Sequence, residues 1–170
     1  RTHVGFLKKL KLWDKNAAIA EAERAIAFEP NNVEHYALLA ESYLGQWDRM
    51  QTQDPQTLER ALESAQKVVT LSDSLLWGHS LLARVYLSKQ QHAQALAEAE
   101  RIIVLAPNEA DGYALQAAIL NCAGQAEQAL AVMEQALRLN PRPPGWYFYP
   151  LGQAYRLTGR VEEAITTLKR

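Results

Sequence analysis

A single cysteine, Cys122, leaves the chain unable to form an internal disulfide, which fits a reducing compartment and an expected cytoplasmic location. No uninterrupted apolar stretch approaches the roughly 18 to 20 residues needed to span a bilayer, and no charged, apolar and small-residue series at the start reads as a secretion signal. Charge of one sign is also missing. Eighteen Lys and Arg stand against 19 Asp and Glu, for a net charge of -1. Without a broad cationic field, nucleic acid is not an expected partner. The four histidines His3, His35, His79 and His92 show no metal spacing with one another or with Cys122. There is no Gly-rich phosphate loop, no nucleophile elbow, and no carboxylate pair that stands out from solvated helix faces such as Glu98 and Glu100. The expectation is therefore no enzyme, no catalytic residue, no cofactor and no metal.

Apolar residue types, by contrast, are plentiful: 48% of 170 residues, enough to bury a substantial core. The chain starts at Arg1 and stops at Arg170 within an apparent helix, so it reads as a piece of something longer. A fixed internal period governs its organisation. Ala83, Tyr86, Ala95, Leu105 and Pro107 recur as Ala117, Leu120, Ala129, Leu139 and Pro141, each 34 residues on. Upstream, Ala40, Tyr43, Ala61, Leu71 and Asp73 fill the same places, but Tyr43 precedes Tyr86 by 43 residues, so this unit carries nine extra. Downstream, Leu151, Gly152, Tyr155, Gly159 and Ala164 continue the series with one residue added. Ala18, Ala25, Phe28, Pro30, Asn31 and Asn32 read as the closing helix of one more repeat.

Within each unit the apolar and small residues follow helical spacing, as in Leu39, Ala40, Tyr43 and Leu44, or Ala95, Ala99, Ile102 and Leu105. Ala40, Ala83, Ala117 and Gly152 on the first helices, with Ala61, Ala95, Ala129 and Ala164 on the second, are small where two antiparallel helices must cross closely. Pro30, Pro107 and Pro141 stop helices, while Gly124 and Gly159 suit tight turns. The pattern predicts helices over 4–12, 15–28, 33–45, 55–71, 76–88, 93–105, 110–122, 127–139, 146–157 and 161–170.

On these positions residues 14 to 170 resemble the tetratricopeptide repeat (TPR) family. The resemblance implies an all-α fold, a right-handed α-solenoid of antiparallel helix pairs. It would hold four to five repeats in one domain over 1–170: an atypical unit 1–32, then 33–75 with the insertion, 76–109, 110–143 and a truncated 144–170. The segment from Asn140 to Tyr155, with Trp146, Tyr147, Phe148 and Tyr149, is also similar to the last repeat of helical modules attached to bacterial nucleotide cyclases. No cyclase motif lies in the chain, so that activity is not carried over.

Two departures stand out. The added residues fall in 45–55, where Asp54 and Pro55 mark a helix start and the second helix begins early. Trp47 and Met50 there either fold back over the extra turn or form a lip for a partner. Pro150 lies inside the apparent first helix of the last repeat, so that helix either starts near Trp146 or kinks. Four consecutive aromatic residues, 146–149, point all around a helix, so some ring must face outward.

The family resemblance implies an inner face built by the first helix of every pair. Its positions map to Glu34, Ala37, Glu41 and Leu44, to Trp77, Ser80, Arg84 and Leu87, to Asp111, Ala114, Ala118 and Asn121, and to Trp146, Tyr149, Gln153 and Arg156. Rings as anchors and charges as register marks suit a peptide or helix of a partner protein. The family's clamp for chaperone C-terminal carboxylates is not carried over, because Ala37 and Glu41 stand where Lys and Asn are wanted. The expected function is a protein-interaction scaffold. The alternative is a regulatory or oligomerising arm of a larger bacterial signalling enzyme. Ile165 and Leu168 near the last residue point to self-association through that end.

Overall fold

A computed structural model of the chain describes residues 15–169, so the helix expected over 4–12 lies outside the described residues. Among the described residues there are nine α-helices and no strand. They are α1 (Lys15–Phe28), α2 (Val33–Asp48), α3 (Pro55–Leu71), α4 (Leu76–Ser88), α5 (His92–Leu105), α6 (Ala110–Cys122), α7 (Ala126–Leu139), α8 (Phe148–Leu157) and α9 (Val161–Leu168). A 3-10 turn, Gly145–Tyr147, leads into α8. Helix spacing therefore fixed almost every boundary to within a residue or three.

The starts have local causes. Asn32 and Asp54 accept hydrogen bonds from the N–H groups of Glu34 and Gln56, each at 3.0 Å, and Pro55 occupies the first turn of α3. A second device recurs with the repeat. Tyr36 and Tyr113 donate their hydroxyls to the carbonyls of Pro30 and Pro107, both at 2.9 Å, and the His79 ring reaches the Asp73 carbonyl at 2.8 Å. In each case a ring in the first turn of a first helix ties down the loop six residues before it. Pro150 causes no kink. The α-helix begins only at Phe148, which leaves Pro150 in the first turn, where its missing N–H had no helical partner to lose.

The nine added residues are shared out. Relative to α4 (13 residues) and α5 (14 residues), α2 has 16 and α3 has 17, and the loop 49–54 takes the rest. The long second helix expected from the sequence is thus matched by a long first helix. Trp47 packs half-buried against the core, whereas Met50 is 73% exposed and covers nothing.

The chain forms two compact units, one ending at Lys89 and the other beginning at Gln90. In the first, α1 packs on α2, α2 on α3, α3 on α4, and α2 also touches α4. Its core gathers Ala37, Ala40, Tyr43, Leu44, Leu58, Ala61, Val68 and Leu81. In the second, α5 to α9 pack in sequence and α6 also touches α8, around Ala114, Ala117, Leu130, Met133, Tyr147 and Leu151. All eight small residues read as crossing points are buried.

Between repeats, size is matched across the contact. A Cβ on Gly78 would stand 2.8 Å from Val68 Cγ1, and one on Gly112 would stand 2.8 Å from Ile102 Cγ2. The same place in the last repeat holds Tyr147, fully buried, and its cluster includes Ala136 at the position of Val68 and Ile102. Large faces small at the first two contacts, and in the last the bulky residue stands at the glycine position and the small one at the branched position.

Candidate functional site

In the first unit α2 and α4 lie side by side, as first helices of successive repeats. Ala37 and Leu44 are completely buried, so they belong to the core and line no open surface. Glu34 is exposed and Glu41 half-buried; beside them Trp77 keeps 36% exposure, with Ser80, Arg84 and Leu87 half-buried. Arg84 is not an isolated cation, because its guanidinium lies 3.3 Å from Asp48 Oδ2. Asp48 is the last residue of the lengthened α2. The insertion therefore supplies the carboxylate that occupies Arg84. Sequence spacing pointed to the insertion but held no sign that its acid would reach a residue 36 positions on.

In the second unit α6 and α8 form the corresponding pair. Their contact is tied at both ends. Tyr147 donates its hydroxyl to Asp111 Oδ1 at 2.6 Å, and the Asn121 amide donates to the Pro150 carbonyl at 2.8 Å. Burial, followed by the hydrogen bond to Asp111, holds the Tyr147 phenol well above its ordinary pKa. Asn121 is only 4% exposed, and its Oδ1 is buried without a partner. It thus links two helices and offers nothing to a visiting molecule, because α8 crosses close enough to close over it. This corrects its assignment as a groove residue. Asp111 stays exposed although it accepts from Tyr147.

The remaining expected residues of the 3-10 turn and α8 do reach the surface. Trp146 is 46% and Tyr149 67% exposed, Gln153 is half-buried and Arg156 exposed. Trp146 leans edge-on against the buried Tyr147 ring, with centroids 4.5 Å apart. Of the aromatic run, then, Tyr147 is core, Trp146 is braced by it, Phe148 is half-buried and Tyr149 stands exposed. That Tyr147 is the buried one was readable from its alignment with Gly78 and Gly112, the positions facing the preceding helix.

Cys122 ends α6 with an exposed residue, and desolvation raises the pKa of its thiol, which disfavours the reactive thiolate. Among the described residues no group of three His, Cys, Asp or Glu side chains gathers where it could hold a metal ion. No helix among them is long and apolar enough to cross a membrane.

Stacked helix hairpins with small crossing residues and first helices aligned within each unit define a TPR-like α-solenoid. Solved structures carry the same architecture. A thermophilic TPR protein of Thermus thermophilus, TTC0263, superposes with a TM-score of 0.77 at 22% identity, over 90% of this chain and 79% of that one. MamA of Desulfovibrio magneticus RS-1 gives 0.71 at 19% identity, over 98% and 89%. A further MamA structure gives 0.67 at 24% identity, over 95% and 89%. At these identities the likeness is one of fold. No protein-family model and no curated sequence matches the chain. The likeness of 140–155 to cyclase-attached modules finds no support among these neighbours.

Proposed function

We propose that the chain is a protein-interaction module that holds a peptide or helix of a partner on the faces of its first helices. One observation carries this reading: Trp146, in the 3-10 turn, and Tyr149, three residues on in the first turn of α8, are large and exposed, with Trp146 braced by a buried ring. Exposed aromatic side chains held rigid by a packed neighbour are the residues on which binding energy concentrates, at about 2 kcal/mol or more each. In the first unit, Trp77 with Glu34, Glu41, Ser80 and Arg84 supports the same role. A single repeat domain in a reducing, cytoplasmic setting belongs to this reading, supported by the lone Cys122.

The test is capture of partners on the immobilised chain. Trp77→Ala with Arg84→Ala, or Trp146→Ala with Tyr149→Ala, should release them while circular dichroism retains full helicity. Partners that stay bound to both double variants would sink the surface assignment.

A separate observation favours self-association through α9. Val161, Ile165 and Leu168 are 54%, 44% and 52% exposed on one short helix. Counterparts of the last two on α7, Leu130 and Met133, are buried in the cluster that includes α8 residues. Sedimentation equilibrium should find dimers that Ile165→Glu dissociates; a monomer at all concentrations refutes this.

A further inference from the structure

The stripe on α8 has a direction. Trp146, Tyr149, Gln153 and Arg156 follow one another at helical spacing, aromatic at the start of the helix and cationic at its end. Among the described residues Arg156 makes no hydrogen bond or ion pair, in contrast to Arg84 on Asp48 and Arg160 on Glu163. Its neighbour along the stripe, Gln153, is neutral. On the flanking helix α6, Ala114 is fully buried, and of the positions matched to the stripe between its ends only the small, half-buried Ala118 reaches the surface. The acid at its start, Asp111, already accepts from Tyr147, and Asn121 at its end is closed over by α8. None of these α6 residues pairs with the guanidinium, Asp111 lying at the opposite end of the stripe, and the small Ala118 leaves room for a chain to lie beside the rings.

From these observations we infer that the second unit binds an extended acidic peptide, with an aromatic or large aliphatic side chain set against Trp146 and Tyr149 and a carboxylate on Arg156. This rests on the reading of the first-helix faces as binding surfaces and adds the class of ligand. Spacing fixes the motif. Tyr149 and Arg156 are seven residues apart, about 10 Å along a helix. A polyproline II strand advances about 3.1 Å per residue with three residues per turn, so a carboxylate three residues from the anchoring ring lies about 9 Å away on the same face. Charge complementarity selects Asp or Glu over Lys or Arg at that place.

Fluorescence polarisation with a labelled Gly-Ser-Trp-Ser-Ser-Glu-Ser-Gly peptide tests this directly. Replacing its Glu by Lys, or moving the Glu beside the Trp, should weaken binding about two- to fivefold, the value of one attractive surface pair. Arg156→Glu should weaken the Glu peptide similarly and reverse the preference toward the Lys peptide. Salt of about 0.5 M should erase the difference between the two. Equal binding of Glu and Lys peptides to the unaltered chain, or no reversal with Arg156→Glu, would overturn the acidic motif. A display library panned on the chain separates the two levels. Enriched peptides without an acid, lost on Trp146→Ala with Tyr149→Ala, would refute the inference and leave the interaction module standing. Enriched peptides indifferent to every first-helix variant would remove both. An α8 stripe protected by a second copy, seen as dimers broken by Tyr149→Glu, also counts against a peptide.

Discussion

At the scale of single residues, the contact between repeats is decided by which partner is small. Gly78 faces Val68 and Val69, whose branched carbons crowd any added methyl to 2.8 and 3.0 Å. Both are rooted on a packed helix, so neither can swing aside. Gly78→Ala should cost about 1 to 3 kcal/mol in urea unfolding. Gly152 is superficially tighter, at 2.6 Å from Leu168 Cγ, but Leu168 is 52% exposed and its side chain can rotate away. Gly152→Ala should cost under about 1 kcal/mol, and a larger loss than for Gly78 would refute the distinction. Tyr147 gives a pH signature. Its phenol keeps its proton in the folded state beyond the ordinary value near 10.0, while the unfolded chain releases it there. Stability is thus fully present below about pH 10 and falls as pH rises beyond it, since the unfolded state then binds fewer protons. Tyr147→Phe should flatten that alkaline decline in thermal melts, leaving the smaller share from Tyr43, whose phenol burial also raises. The repeat spacing revealed the crossing alanines outright, because a 34-residue period is a purely local count. Pairings such as Tyr147 with Asp111 or Arg84 with Asp48 were not visible, since they depend on side-chain reach across 36 positions.

At the scale of the element, turns between paired helices share one backbone shape. Gly124 and Gly159 have φ of +76° and +78°, and Gln90, in the same repeat position, has φ 60°. Met50, in the enlarged loop, has φ 53°. The left-handed conformation costs a side-chain-bearing residue about 1 to 2 kcal/mol, part of which glycine returns as unfolded-state entropy. Gln90→Gly should therefore raise stability by up to about 1 kcal/mol, read from the urea midpoint at unchanged slope. Glycine marked two of these turns in the sequence. The others were hidden because neither Gln nor Met advertises such a conformation. Helix limits were legible to within a few residues for the same reason the turns were partly not: periodicity reports buried faces, and turns have none.

At the scale of the molecule, the insertion alters the surface charge that a partner would meet. By lengthening α2 it delivers Asp48 to Arg84. Both groups are well exposed, so the pair contributes under about 1 kcal/mol to stability. Its larger effect is on recognition. Asp48→Ala should leave melting almost unchanged and strengthen binding of acidic peptides through Trp77 and Arg84 by a few-fold in low salt, a gain that vanishes at about 0.5 M. Isothermal titration with and without salt checks both. The sequence proposed the first helices as the surface; which of its cations are engaged followed only from geometry.

The exchange of bulk at successive repeat contacts has a consequence for engineering. Valine and isoleucine meet glycine at the earlier contacts, while a tyrosine shares its cluster with an alanine at the last. Each module is thereby keyed to its neighbours. A shuffled chain with 144–157 transplanted behind α3 or α5 would drive a phenol ring into a branched aliphatic side chain, so the order of the modules is written into their seams.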